Sequence, residues 1–198
     1  MKKVLLSLGL VAILSGAAQA QGIKFGAKAG ASLTNVVGDD ASNDNSYKFG
    51  FNGGVLANFG INDMFSIQPE VLYSMKGAKT NGDARVNLNY VDVPVMVKVA
   101  TGATGLFFEA GPQVGFLLSA NAKNNSNSVD VKDLYKSVDF GYAAGLGFQT
   151  ESGAMVGLRY NGAFTNTPKE LSFGGQSIQA KAKNSAFQLY VGYMFGGK

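Results

Sequence analysis

Apolar and polar residues alternate along most of this chain with a period of two, the signature of a β-strand whose two faces meet different surroundings. In Val91-Asp92-Val93-Pro94-Val95-Met96-Val97-Lys98-Val99, five valines fall on one face and both charges on the other. In Phe140-Gly141-Tyr142-Ala143-Ala144-Gly145-Leu146-Gly147-Phe148, large residues alternate with glycine and alanine. The pattern predicts eight strands: Ile23 to Thr34, Lys48 to Gly60, Met64 to Lys76, Leu88 to Val99, Gly105 to Ser119, Val138 to Gln149, Ala154 to Phe164 and Ala186 to Phe195. After the N-terminal region no segment offers the roughly 18 uninterrupted apolar residues of a spanning helix. The most apolar stretch, Val91 to Leu118, carries Asp92, Lys98 and Glu109.

The connections alternate as well. Short ones around Ile61 to Asp63, Ala100 to Thr104 and Thr150 to Gly153 follow the second, fourth and sixth strands. Longer polar ones, Asn35 to Tyr47, Gly77 to Asn87, Ala120 to Ser137 and Thr165 to Ser185, follow the first, third, fifth and seventh. An even-numbered antiparallel meander with short turns at one end and long loops at the other is the plan of a bacterial outer-membrane barrel. The expected fold is therefore all-β, an eight-stranded antiparallel up-and-down transmembrane β-barrel, with strands of a length that crosses the hydrocarbon layer when tilted.

The charges decide which face meets lipid. On the third strand Phe65, Ile67, Pro69, Val71 and Tyr73 oppose Ser66, Gln68, Glu70, Leu72 and Ser74; on the seventh, Val156, Leu158 and Tyr160 oppose Gly157, Arg159 and Asn161. Gly26, Gly30, Gly50, Gly54, Gly111, Gly115, Gly141, Gly145 and Gly147 share the charged face, as suits the narrow interior of an eight-stranded barrel. Outward aromatics form two expected rings: Phe25, Phe59, Phe65, Phe108, Phe148 and Phe195 near the short turns, and Phe49, Tyr73, Phe116, Phe140, Phe164 and Phe187 near the long loops. Two such rings flanking an aliphatic band match the two interfaces of a membrane. A soluble barrel with an aromatic-lined cavity is the competing reading.

Composition sharpens this picture. The 198 residues include 27 glycines, nearly twice the average usage of about 7%. Charged residues are only 15% of the chain, which leaves a water-facing surface short of charge. Residues 1–20 have the form of a cleaved secretory signal: Lys2 and Lys3, the apolar run Val4 to Leu14, then Ala18-Gln19-Ala20. The mature domain is then 21–198, beginning at Gln21, and loss of the two signal lysines takes the formal net charge from +4 to +2. So small an excess gives no reason to expect nucleic acid as a partner.

Three successive blocks, Phe65-Ser66-Ile67-Gln68-Pro69-Glu70-Val71-Leu72-Tyr73-Ser74, Tyr90-Val91-Asp92-Val93-Pro94-Val95 and Gly111-Pro112-Gln113-Val114-Gly115-Phe116-Leu117-Leu118, resemble signatures of the Bacteroidetes outer-membrane β-barrel family, the porin-family or PorT-like proteins. The resemblance spans essentially the whole mature chain. It implies a Gram-negative outer-membrane location, with termini in the periplasm and long loops outside. Tyr193-Met194-Phe195 resembles the aromatic-ended last strand that barrel-assembly machinery recognises, although Gly196-Gly197-Lys198 follows it.

Few residues offer chemistry. Lys28, Glu70, Asp92, Lys98, Glu109 and Arg159 all fall on the inward face, where balanced ions are expected to form a luminal ion network. The chain has neither His nor Cys, which removes most nucleophile and base pairs, soft metal sites and disulfides. Outer-membrane barrel lipases, acyltransferases and proteases resemble one another in using a histidine. Asp39, Asp40 and Asp44 cluster in the first long loop and Lys169, Lys181 and Lys183 in the fourth, as ordinary solvated charge. Gly53-Gly54 and Gly174-Gly175 lack the strand-to-helix setting of a phosphate cradle. The expectation is a non-enzymatic monomer without cofactor or metal, set among outer-membrane lipid and lipopolysaccharide, aided by barrel-assembly machinery during biogenesis, and acting as a structural or surface-interaction protein. A narrow porin-like channel for ions or small solutes, or an accessory of a secretion apparatus as in PorT-like proteins, are the alternatives.

Overall fold

Period-two alternation becomes a closed barrel because each strand has one face suited to lipid and one suited to a narrow lumen. The computed structural model describes residues 23–42, 45–80, 84–124, 127–173 and 176–195. The signal and Gln21, Asp44, Asn125, Gly174-Gly175 and Gly196-Gly197-Lys198 lie outside the described residues.

The strands are β1 (Ile23–Val37), β2 (Lys48–Gly60), β3 (Phe65–Lys79), β4 (Arg85–Ala100), β5 (Leu106–Asn124), β6 (Asn127–Asp130), β7 (Val138–Gln149), β8 (Ala154–Ala163), β9 (Leu171–Phe173), β10 (Gln176–Ile178) and β11 (Lys183–Phe195). Eight of them, β1 to β5 with β7, β8 and β11, pair antiparallel in sequence order, and β11 returns to β1 to close the barrel. That last seam runs through thirteen consecutive pairs, from Phe25↔Phe195 to Val37↔Lys183. β6 folds back along the end of β5, and β9 with β10 forms a separate hairpin.

Most of the barrel strands outrun their sequence-predicted limits, chiefly at the long-loop end. β3 and β4 continue until only Thr80 to Ala84 separates them, so the second expected long loop is in fact an extended hairpin. The reason is environmental: beyond the apolar belt the outer face turns polar, with Lys79, Arg85 and Lys123 exposed, while Ala78, Leu88 and Ala120 stay buried inside, so pairing continues after the outer apolar row has ended. At the opposite end the turns are tight. The Asn62 side-chain oxygen accepts the backbone N–H groups of Met64 (2.9 Å) and Phe65 (2.8 Å), and Gly153 takes a φ of +98° that a side chain would resist.

Burial is inverted relative to a soluble protein. Val55, Leu158, Leu189 and Val191 are more than half exposed, while Lys28, Glu70, Asp92 and Arg159 are buried. An apolar belt this extensive requires a nonaqueous neighbour. The lumen is not lined by small residues alone, however. Tyr90, Phe107, Tyr190 and Met194 point inward, and the glycines make room for them: a Cβ on Gly147 would stand 2.5 Å from the Phe107 ring, and one on Gly157 2.5 Å from the Tyr190 ring.

Candidate functional site

Five barrel strands supply the central lumen. Arg159 on β8 reaches across it: Nη1 donates to Glu70 Oε2 (2.7 Å), Nη2 to Glu70 Oε1 (2.9 Å), and Nε to Glu109 Oε1 (2.8 Å). Lys28 on β1 forms an ion pair with Glu70 Oε2 at 2.6 Å. Tyr190 on β11 donates to Glu109 Oε1 (3.0 Å), and Gln68 donates to Glu70 Oε1 (2.8 Å). Two cations and two carboxylates thus balance in a layer from which water is excluded, where charges persist only when paired and hydrogen-bonded.

The six charged residues singled out in the sequence all lie inside, each no more than 6% exposed, but they divide. Asp92 does not join the quartet of Lys28, Glu70, Glu109 and Arg159; it pairs with Lys76 at 2.8 Å, nearer the long loops. Lys98 faces Glu109 in the β4–β5 register, yet Arg159 holds that carboxylate. Lys98 Nζ instead donates to Gln149 Oε1 (2.6 Å) and lies 3.7 Å from the centre of the Phe107 ring. Sequence reasoning missed Lys76, although it shares the parity of Glu70 and Ser74 on β3, and it missed Asp139, whose Oδ2 accepts a hydrogen bond from Asn184 (2.9 Å). It also missed Tyr90 and Tyr190, although they share the parity of the inward Asp92 and Gln188 on their strands.

The lumen is asymmetric along its axis. A cavity of about 800 Å³ opens at the short-turn end, with Lys24, Asn58, Lys98 and Gln149 on its walls and Phe107 and Met194 among its lining. Towards the long loops, the void among Lys76, Asp139 and Asn184 is about 10 Å³, room for one water at most. The loops beyond are tied to one another. The Lys181 N–H donates to Asp40 Oδ2 (2.8 Å), Ser46 bridges to Lys79, and Tyr135 bridges to Pro168. Tyr135 packs against Leu88, Tyr90, Leu117 and Ala120, and burial pushes its phenol pKa up.

Phe25 and Tyr73 are half-buried, and Phe49, Phe59, Phe65, Phe108, Phe116, Phe140, Phe148, Phe164, Phe187 and Phe195 are exposed on the outside. On one side of the long-loop end the rings form a run, with centroids 6.4 Å apart for Tyr47–Phe187, 4.9 Å for Phe187–Tyr160, 6.1 Å for Tyr160–Tyr142 and 5.1 Å for Tyr142–Phe164.

A closed eight-stranded barrel with an apolar exterior and a charged interior defines an outer-membrane barrel protein. The model of the family described as outer membrane protein beta-barrel domain matches residues 17–169, and the chain belongs to that family, whose setting is the bacterial outer membrane. Among solved structures, Neisserial surface protein A is similar with a TM-score of 0.56 and 14% identity, over 86% of this chain and 97% of that one. Ail, the attachment invasion locus protein of Yersinia pestis, solved in complex with the heparin analogue sucrose octasulfate, is similar with a TM-score of 0.51 and 15% identity, over 87% of this chain and 99% of that one. At these identities the likeness is one of fold. No curated protein sequence matches the chain.

Proposed function

We propose that this protein is a non-enzymatic, monomeric outer-membrane barrel with a plugged lumen, which acts through the surface its joined long loops present outside the cell. The observation that carries this reading is the Lys28, Glu70, Glu109 and Arg159 quartet, buried across the middle of the lumen, with a void of only about 10 Å³ among Lys76, Asp139 and Asn184 beyond it. In this reading residues 1–20 are removed on export, both termini face the periplasm, and the two aromatic rings mark the lipid interfaces. The three motif blocks support a place among the Bacteroidetes PorT-like proteins, where a secretion-accessory role belongs to the same surface.

Two measurements test it. In a planar bilayer the intact protein is expected to show no steady conductance; steady conductance would replace the plugged barrel with the narrow-pore reading, which the 800 Å³ cavity at the short-turn end favours. On intact cells, a tag inserted near Asn125 should be labelled and a tag after Lys198 should not. The opposite labelling inverts the topology.

A further inference from the structure

Above the aromatic belt, the outward face of β3, β4 and β5 differs from the rest of the barrel. Lys79, Arg85 and Lys123 stand side by side on the three strands, paired Lys79↔Arg85 and Arg85↔Lys123, and all three are exposed. The next outward row down holds Gly77, Asn87 and Asn121, with Asp130 of β6 beside Asn121; the row below that holds Met75, Asn89 and Ser119. Asn89 donates to the Ser119 hydroxyl (2.9 Å), which confirms that the two side chains share a face. Across the barrel, the corresponding end of the wall is the run of aromatic rings instead.

Like charges directly opposite one another on paired strands destabilise a sheet. Here three cations occupy about 10 Å of sheet width, and none of them forms an ion pair with a described carboxylate. The row is also held in place, since Ser46 and Lys79 exchange backbone hydrogen bonds in both directions. A fixed cationic row with no carboxylate partner among the described residues calls for an anion with more than one negative group, and an Arg between two Lys suits phosphate oxygens.

Height selects the source of that phosphate. Six residues separate Tyr73 of the belt from Lys79, about 20 Å along a strand and about 15 Å above the interface at the usual tilt. Phospholipid headgroups extend only about 5–8 Å beyond the hydrocarbon. Phosphates borne on the sugars of a glycolipid reach higher. We propose that this face binds an outer-leaflet glycolipid carrying phosphorylated sugars, with Lys79, Arg85 and Lys123 on its phosphates and Asn87, Asn121 and Ser119 on its hydroxyls. The proposal rests on the long-loop end facing outward.

The test uses the full mature chain in nanodiscs of zwitterionic phospholipid, titrated with fluorescent phosphorylated lipopolysaccharide. Replacing Lys79, Arg85 and Lys123 together by Gln should weaken binding about tenfold or more at moderate salt. The pair Lys79→Arg and Lys123→Arg should retain binding, and the loop pair Lys169→Gln and Lys181→Gln should leave it unchanged. Dephosphorylated lipopolysaccharide should bind the unaltered protein as weakly as the intact lipid binds the triple variant. Equal affinity for the two lipid forms, or an undiminished triple variant, overturns the site. Competition by phosphatidylglycerol vesicles at equal phosphate concentration overturns the glycolipid assignment. A barrel that binds in discs but is labelled on cells at its C-terminus supports the phosphate-binding row and overturns the orientation together with the outer-leaflet assignment.

Discussion

The two halves of the barrel wall are built differently. From β5 through β7, β8, β11 and β1 to β2, the ladders run without interruption, for example through Leu106↔Phe148 to Phe116↔Val138 and Ile23↔Phe59 to Thr34↔Lys48. From β2 to β5 the ladders carry a bulge, at Leu118 opposite Asn89 and Tyr90, and three gaps: between Leu56↔Glu70 and Phe59↔Ile67, between Pro69↔Val95 and Leu72↔Asp92, and between Pro94↔Gln113 and Val97↔Ala110. Each gap contains one of Pro69, Pro94 and Pro112, which have no N–H to donate. The carboxylates of the quartet, Glu70 and Glu109, stand on this interrupted wall, and their cations Lys28 and Arg159 on the continuous one. Side-chain bonds across the lumen therefore brace the band where backbone bonds are fewest. A polar interior in such a barrel is part of what holds the wall.

The largest expected effect breaks that brace. Arg159→Ala leaves the buried Glu109 carboxylate without a cation and Glu70 with Lys28 alone, and should cost about 3–5 kcal/mol in unfolding from lipid, with conductance rising as water enters. A loss under about 1 kcal/mol would mean that the walls hold without the tie. Next come lysines on the outer face: Val71→Lys and Val95→Lys on the interrupted wall and Leu189→Lys on the continuous one should each cost roughly 2–4 kcal/mol. Near-neutral values at all three positions would turn the barrel inside out. Alanine at Pro69, Pro94 and Pro112 restores three donors, each gaining about 0.5–1.5 kcal/mol. Hydrogen exchange in β3 to β5 should then slow to the rate seen in β1 and β11; unchanged exchange would detach the gaps from the prolines. The smallest effect belongs to the Lys181–Asp39 pair, 3.5 Å apart and largely exposed, where Lys181→Ala should change stability by less than about 1 kcal/mol.

Much of this architecture is readable from residue order, because lipid imposes a strict rule on one face of every strand. The limits of β2 and β7 follow from alternation to the residue, as do the inward positions of Glu70 and Arg159. What alternation leaves open is how far a strand continues once lipid ends: Lys79, Arg85 and Lys123 belong to paired strands whose outer face is polar, so no apolar outer row marks their extent. It also leaves partners open. Lys98 and Glu109 are neighbours in register, and only side-chain reach explains why Arg159 takes the carboxylate and Lys98 turns to Gln149. Parity puts Tyr190 on the inner face, but the room for its ring comes from Gly157 on the neighbouring strand, a complement between distant residues that single-strand periodicity does not contain.

The seam between β1 and β11 has a further consequence for biogenesis. Its two strands are the first and the last described in the chain, so the seam has the greatest sequence separation in the sheet and is the costliest closure to reach. Until it closes, the nascent sheet has two free edges, and each can recruit a strand from another chain. Thirteen unbroken pairs, with no proline or bulge among them, make the correct union far more favourable than a partial one with a stranger. The same regularity makes each edge a good template while it waits, so the interval between synthesis and closure is when this chain most needs a chaperone.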